Sequence, residues 1–232
     1  MKTIDLTLDL YEGMPTFPVS WYPSPKMEFI LNPDNDPSHS HRYASKSQIF
    51  SHGGTHLDSP MHFNYWPNEK TIDKVPLDVL VGDCVVVDMY DKKFLEEITA
   101  QELEDATNGI TLNGKRLIIR TGYTDRYWGK PDYFQQSPYL TPEAAAWIVK
   151  QGVVMVGLDF QTDKPGDGTF PVHNTLLSQE IYILEYLVNV FALPKECTLV
   201  VAPLKLKGME ASTCRVFAIC GTLPNQGGGG ND

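Results

Sequence analysis

The chain has 232 residues, 42% of them hydrophobic and 21% charged, with a formal net charge of −10. Those proportions are ordinary for a globular enzyme with one sizeable core. The acidic balance argues against nucleic acid or an anionic membrane as partner, since both select basic patches, and no apolar stretch nears the roughly 20 residues that span a bilayer.

The first ten residues carry Asp5 and Asp9 and do not read as a signal peptide, so a cytoplasmic protein is expected. Ile4, Leu6, Leu8 and Leu10 alternate as in a half-buried strand. Residues 14–25 form a proline-stiffened loop rich in aromatics, and residues 41–50 read as a strand. Short apolar runs at 85–87, 117–119, 153–158 and 198–202 suit buried strands, with 215–220 a further one. Helices fall between them. Thr99-Ala100-Gln101-Glu102 is a capping box. Thr141 caps a second helix with Pro142 at its first position and Gly152 beyond its end. A third is expected over 174–180. The alternation predicts an α/β fold, one domain over 1–226 built on a mixed sheet with flanking helices, followed by a flexible Gly-rich tail, 227–232. Cys84, Cys197, Cys214 and Cys220 form no C-x-x-C pair and read as reduced, mostly buried thiols.

Residues 52–62, His52-Gly53-Gly54-Thr55-His56-Leu57-Asp58-Ser59-Pro60-Met61-His62, concentrate three of the six histidines and a carboxylate. Imidazole nitrogen and carboxylate oxygen are the ligands that Zn²⁺ or Mn²⁺ takes. Two glycines and a proline oppose a helix, so the segment is read as extended. Positions 52, 56, 58 and 62 then share parity and can face one side. The alternative is a polar surface loop with incidental histidines.

More distant residues can complete such a site. His173 follows Thr169-Phe170-Pro171-Val172 and is either a ligand or a helix-cap or core histidine. Glu185 lies in the apolar run 181–188, where an ionised carboxylate is costly unless a cation neutralises it or the position opens to water. Phe17, Trp21 and Tyr22 before the window, and Phe63, Tyr65 and Trp66 after it, can stack on a flat substrate or pack a lid or subunit interface. Asp159, ending an apolar strand, is a candidate to orient a ligand histidine. Gln161 and Thr121-Gly122-Tyr123 are candidate pocket residues, and His39 and His41 read as surface histidines. No phosphate-cradling glycine loop occurs, which argues against a nucleotide cofactor.

The pattern His52-x-Gly54-Thr55-His56-x-Asp58-x-Pro60-x-His62 resembles the signature of the cyclase family, which includes bacterial kynurenine formamidases and isatin hydrolases. Phe170-Pro171-Val172-His173 with Glu185, Met14-Pro15-x-Phe17-Pro18, and Ala202-Pro203-Leu204-Lys205-Leu206 with Gly208 resemble further stretches of that family. Two departures stand out: Phe17 takes the place of a tryptophan usual in kynurenine formamidases, and Glu210-Ala211-Ser212-Thr213-Cys214-Arg215 replaces Asp-Gly-Ser-Pro-x-Arg. The resemblance implies a swivelling β/β/α fold assembled as a homo-oligomer, dimer or tetramer. His52, His56 and Asp58 would bind a first ion, His173 and Glu185 a second with Asp58 shared, and His62 would carry the proton.

The chemistry expected is metal-assisted hydrolysis of an amide, lactam or ester of a small aromatic or cyclic substrate, with one or two zinc or manganese ions. Phe17, Trp21, Phe63 and Tyr65 are the expected substrate contacts. The alternatives are a metal-dependent lyase or cyclase, and a non-catalytic metal or small-molecule-binding module.

Overall fold

The computed structural model describes residues 1–38 and 41–221; His39 and the predicted glycine-rich tail lie outside the described residues. In chain order the strands are β1 (Lys2–Asp5), β2 (Lys26–Leu31), β3 (Ala44–Gln48), β4 (His56–Asp58), β5 (Val81–Asp88), β6 (Glu97–Ile98), β7 (Arg116–Arg120), β8 (Tyr139–Leu140), β9 (Met155–Leu158), β10 (Tyr182–Glu185), β11 (Glu196–Pro203) and β12 (Ala211–Cys220). The helices are α1 (Leu77–Leu80), α2 (Ala100–Ala106), α3 (Tyr123–Tyr127), α4 (Pro142–Lys150) and α5 (Pro171–Leu177).

The main sheet runs β1-β12-β11-β5-β7-β9-β10-β4, and β4 also pairs with β12, so the sheet closes on itself. β5, β7, β9 and β10 are mutually parallel, while β11, β12, β1 and β4 are antiparallel to their neighbours. The mixed sheet expected from the sequence is therefore present. The period of two along each strand divides its side chains between two cores. Leu57, Val86, Ile118, Leu184, Val201 and Val216 fill the inside of the closed sheet. Val85, Val87, Leu117, Ile119 and Ile183 point outward, against Leu103 of α2, Ile148 of α4 and Leu176 of α5.

The predicted helix starts hold at two places. Thr99 and Glu102 form the reciprocal capping box of α2, and Thr141 accepts from the Ala144 N–H at the head of α4 with Pro142 at its first position. The third helix is shifted: it begins at Pro171 rather than Asn174. The cause is Asp163, whose carboxylate accepts the Val172 N–H at 2.7 Å and the His173 N–H at 3.3 Å. A carboxylate from eight residues upstream of the helix thus occupies its electropositive start.

Candidate metal centre

Parity along β4 sets the centre of the site. Leu57 is inside the closed sheet, so His56 and Asp58 emerge on its outer face. On the neighbouring strand Leu184 is inside, and Glu185 emerges directly opposite His56. The shared-parity expectation accounts for His56 and Asp58 only. His52 comes from the turn before β4 and His62 from a 3-10 turn, Pro60–Phe63, after it; the chain bends them to the same point. Gly54, at φ 62°, turns the backbone so that its own carbonyl meets the His56 ring. α5 brings in His173.

Five of these side chains converge on Asp58. His52 Nδ1 is 2.9 Å and His56 Nε2 3.4 Å from Asp58 Oδ1. His173 Nε2 is 3.7 Å and His62 Nε2 4.0 Å from Oδ2. Glu185 reaches the same space, with Oε2 3.4 Å from His56 Nε2 and Oε1 3.8 Å from His173 Nε2. His52, His56 and Asp58 form one set of ligand atoms within 4.8 Å of one another, and Asp58, His62 and His173 form another.

The donor set fits a cation. Both Asp58 oxygens and His56 Nε2 are buried with no donor or acceptor in hydrogen-bond geometry to them, although His52 Nδ1 stands 2.9 Å from Oδ1; leaving such atoms unsatisfied costs on the order of 1–3 kcal/mol for each neutral group and more for a charge. His56 Nδ1 faces the Gly54 carbonyl at 2.9 Å and must carry the proton there, leaving the Nε2 lone pair for the site. His173 Nδ1 is held by the Asp163 carboxylate. His52 Nε2 lies 3.3 Å from Glu210 Oε1, which also accepts the Ser51 hydroxyl at 2.6 Å. Outer acceptors of this kind fix the tautomer and ring orientation of ligand histidines. Among the described residues no such acceptor holds the second ring nitrogen of His62. Thr162 donates its hydroxyl to Glu185 Oε1.

The electrostatics follow from this crowding. Burial disfavours the charged form of Asp58, but the surrounding imidazoles outweigh it and hold the carboxyl well below its usual range. Burial likewise opposes protonation of His52, but Asp58 and Glu210 raise it to about 10. Burial and the neighbouring rings of His52, His173 and His56 push His62 down to about 4, against the pull of Asp58. Its hydrogen bond to His52 brings Glu210 down to about 2.

The cluster opens into a cavity of about 710 Å³ walled by Phe17, Trp21, Tyr22, Phe50, Phe63 and Phe170. Of the four expected substrate contacts, Phe17, Trp21 and Phe63 line it. Tyr65 does not; its hydroxyl donates to Asn174 Oδ1 at 3.1 Å, and the ring packs against the outer core. Gln161 lines the cavity but spends its amide N–H on the Phe134 carbonyl. Asp159 does not orient a ligand histidine: its Oδ1 accepts from the Thr121 N–H at 2.8 Å and hydroxyl at 3.1 Å, and Thr121-Gly122-Tyr123 lies off the cavity lining. Asp163 has the orienting role instead. Nothing local in the sequence marks it, because its partner is ten residues on and across a loop. His41 is exposed.

The family described as "Putative cyclase" matches residues 4–164. A kynurenine formamidase of Geobacillus thermodenitrificans is 30% identical over 168 residues, covering 71% of this chain and 74% of that protein. One from Bordetella petrii is 25% identical over 215 residues, covering 92% and 95%. Among solved structures, isatin hydrolase A of Labrenzia aggregata, bound to benzyl benzoate, superposes with a TM-score of 0.82 at 26% identity, covering 94% of this chain and 93% of that one. Fold and site together define a metal-dependent hydrolase. The chain belongs to the cyclase family.

Proposed function

We propose that this protein hydrolyses the amide, lactam or ester bond of a small aromatic or cyclic substrate, with the kynurenine formamidases and isatin hydrolase it resembles as precedents. The observation that carries the reading is the pair of ligand triplets sharing Asp58, with that residue's two oxygens buried and lacking a donor in hydrogen-bond geometry beside an aromatic cavity. His52, His56 and Asp58 would hold one divalent ion, and His173 and Glu185, with Asp58 shared, a second; an all N/O donor set suits zinc or manganese. When bound, such an ion supplies Lewis-acid polarisation of a carbonyl and water of lowered pKa.

The chain's own residues do the rest. The aromatic walls would stack on the ring of the substrate. His62 is assigned the proton-carrying role, taking a proton at Nε2 from attacking water and returning it to the leaving nitrogen or oxygen. Its freedom supports this. The rings of His52, His56 and His173 each have one nitrogen engaged by an outer acceptor, whereas among the described residues His62 packs against the rings of His52, Phe63 and His173 and approaches Asp58 through Nε2, with no outer acceptor on its other nitrogen. Residues 1–226 would form this single catalytic domain, working as a homo-oligomer in the cytoplasm. No described helix is long and apolar enough to cross a membrane.

The test is a substrate panel on metal-loaded protein, including N-formylkynurenine, isatin, aryl amides and simple lactones, in heavy-oxygen water. Hydrolysis places one label in the product acid. Stoichiometric metal with no turnover of any substrate overturns the reading in favour of a binding module.

A further inference from the structure

Three of the four cysteines stand in a row across the adjacent strands β5, β11 and β12. Cys197 of β11 is directly opposite Cys84 of β5 in the antiparallel ladder. On its other side Thr198 pairs with Ile219, so the next rung sets Cys197 beside Cys220 of β12. Opposed residues of an antiparallel pair point to the same face, with Cα atoms about 4.5–5.5 Å apart. That spacing lies inside the roughly 4.4–6.8 Å range that a disulfide spans. All four cysteines are free thiols.

We propose that Cys197 and Cys84 form a peroxide-oxidisable pair that closes an intrachain disulfide across the β5–β11 ladder. Cys197 is the accessible member: it is partly exposed, whereas Cys84 is 1% exposed and packed inside the closed sheet. The neighbours also favour Cys197 as the nucleophile. A hydrogen bond from Cys84 lowers its pKa, and the Arg120 guanidinium adds to this, whereas burial drives Cys84 up. Low-pKa, accessible thiols beside a second thiol are the ones that oxidise reversibly.

The step balances with hydrogen peroxide as oxidant. The Cys197 thiolate attacks one peroxide oxygen; an S–O bond forms, the O–O bond breaks, and the departing hydroxide takes up a proton as water. The Cys84 sulfur then attacks the sulfenic sulfur; the S–S bond forms, the S–O bond breaks, and hydroxide leaves with the Cys84 proton as a second water. Two thiols are oxidised by two electrons and one peroxide is reduced.

The test is direct. Reduced protein is treated with hydrogen peroxide, quenched, unfolded and alkylated, and its intact mass and linked peptides are measured. The wild type is expected to lose two of its four alkylatable thiols, with no oxygen retained and a peptide joining Cys84 to Cys197. Cys220→Ser should keep that behaviour, and Cys197→Ser should keep all its remaining thiols. In Cys84→Ala/Cys220→Ser, where neither neighbouring thiol remains, the Cys197 sulfenic acid should persist and be captured by dimedone. If that variant fails to fold, the Cys197→Ser and Cys220→Ser masses still decide. Retention of every thiol in the wild type, oxygen added to Cys197 without a link, or a link between Cys197 and Cys220 overturns the proposal.

Discussion

Glu185 stands directly opposite His56 on the β10–β4 ladder, its Oε2 3.4 Å from His56 Nε2. The same ladder sets Asp58 opposite Ile183, so two buried carboxylates share one face of the sheet within two residues of each other along their strands. Without a cation between them they repel in a poorly solvated space.

Chelation should therefore destabilise the folded protein. An ion present at a hundred times its Kd contributes about 2.7 kcal/mol to the native state. Thermal unfolding at pH 8, with and without a strong chelator, should show a drop in Tm of several degrees that added Zn²⁺ or Mn²⁺ restores. An unchanged Tm would mean that the carboxylates tolerate each other without an ion.

Asp163 joins two functions: it accepts the first N–H groups of α5 and fixes His173 through Nδ1. Asp163→Asn keeps an oxygen for the helix start but loses the anionic acceptor for the imidazole. Metal affinity should fall by about 10–100-fold, read by competition with a chromogenic chelator, while far-UV circular dichroism stays as in the wild type. Equal affinity in the variant would remove Asp163 from the orienting role.

His62→Ala separates proton transfer from metal holding. Turnover should fall by about 10²–10⁴-fold, and elemental analysis should return the wild-type metal content. His62 Nε2 is nevertheless within reach of Asp58 and His173 as a third ligand atom. Loss of metal along with activity would move His62 into the ligand set.

The sequence made the centre of this site legible because its ligands are local: His52, His56, Asp58 and His62 fall within eleven residues, and two glycines and a proline ruled out a helix. His173 and Glu185 were legible for different reasons, the first through the family pattern, the second through the cost of a carboxylate in an apolar run. The strands over 85–87, 117–119, 153–158 and 198–202 were visible as apolar runs. Closure of the sheet was not, because β4 is only three residues long and earns its two partners by tertiary pairing rather than propensity. Asp163 and Glu210 escaped as orienting groups because each acts on a histidine far along the chain. Asp159 drew attention at the end of its strand, yet its carboxylate turns toward Thr121 and away from the cavity.

Asp159 gives a pH-dependent stability signature independent of the metal. It is fully buried, its Oδ1 bonded to Thr121 and its Oδ2 without a partner. Burial raises its pKa to about 7, with the Asp125 charge adding to it, against the lowering effect of hydrogen bonds from Thr121 and the Gly122 N–H. The unfolded value is near 3.8, so folding takes up a proton between the two. The stabilisation from that proton is fully present below about pH 4 and is lost as pH rises to about 7. Asp159→Asn keeps an acceptor for Thr121 and puts an uncharged amide where the carboxylate would ionise. The variant should match or trail the wild type at pH 4 and exceed it at pH 8 by on the order of 1–3 kcal/mol in urea unfolding. The difference should grow through pH 4–7 and level off above it. A difference that stays constant with pH would show that Asp159 remains ionised in the folded core.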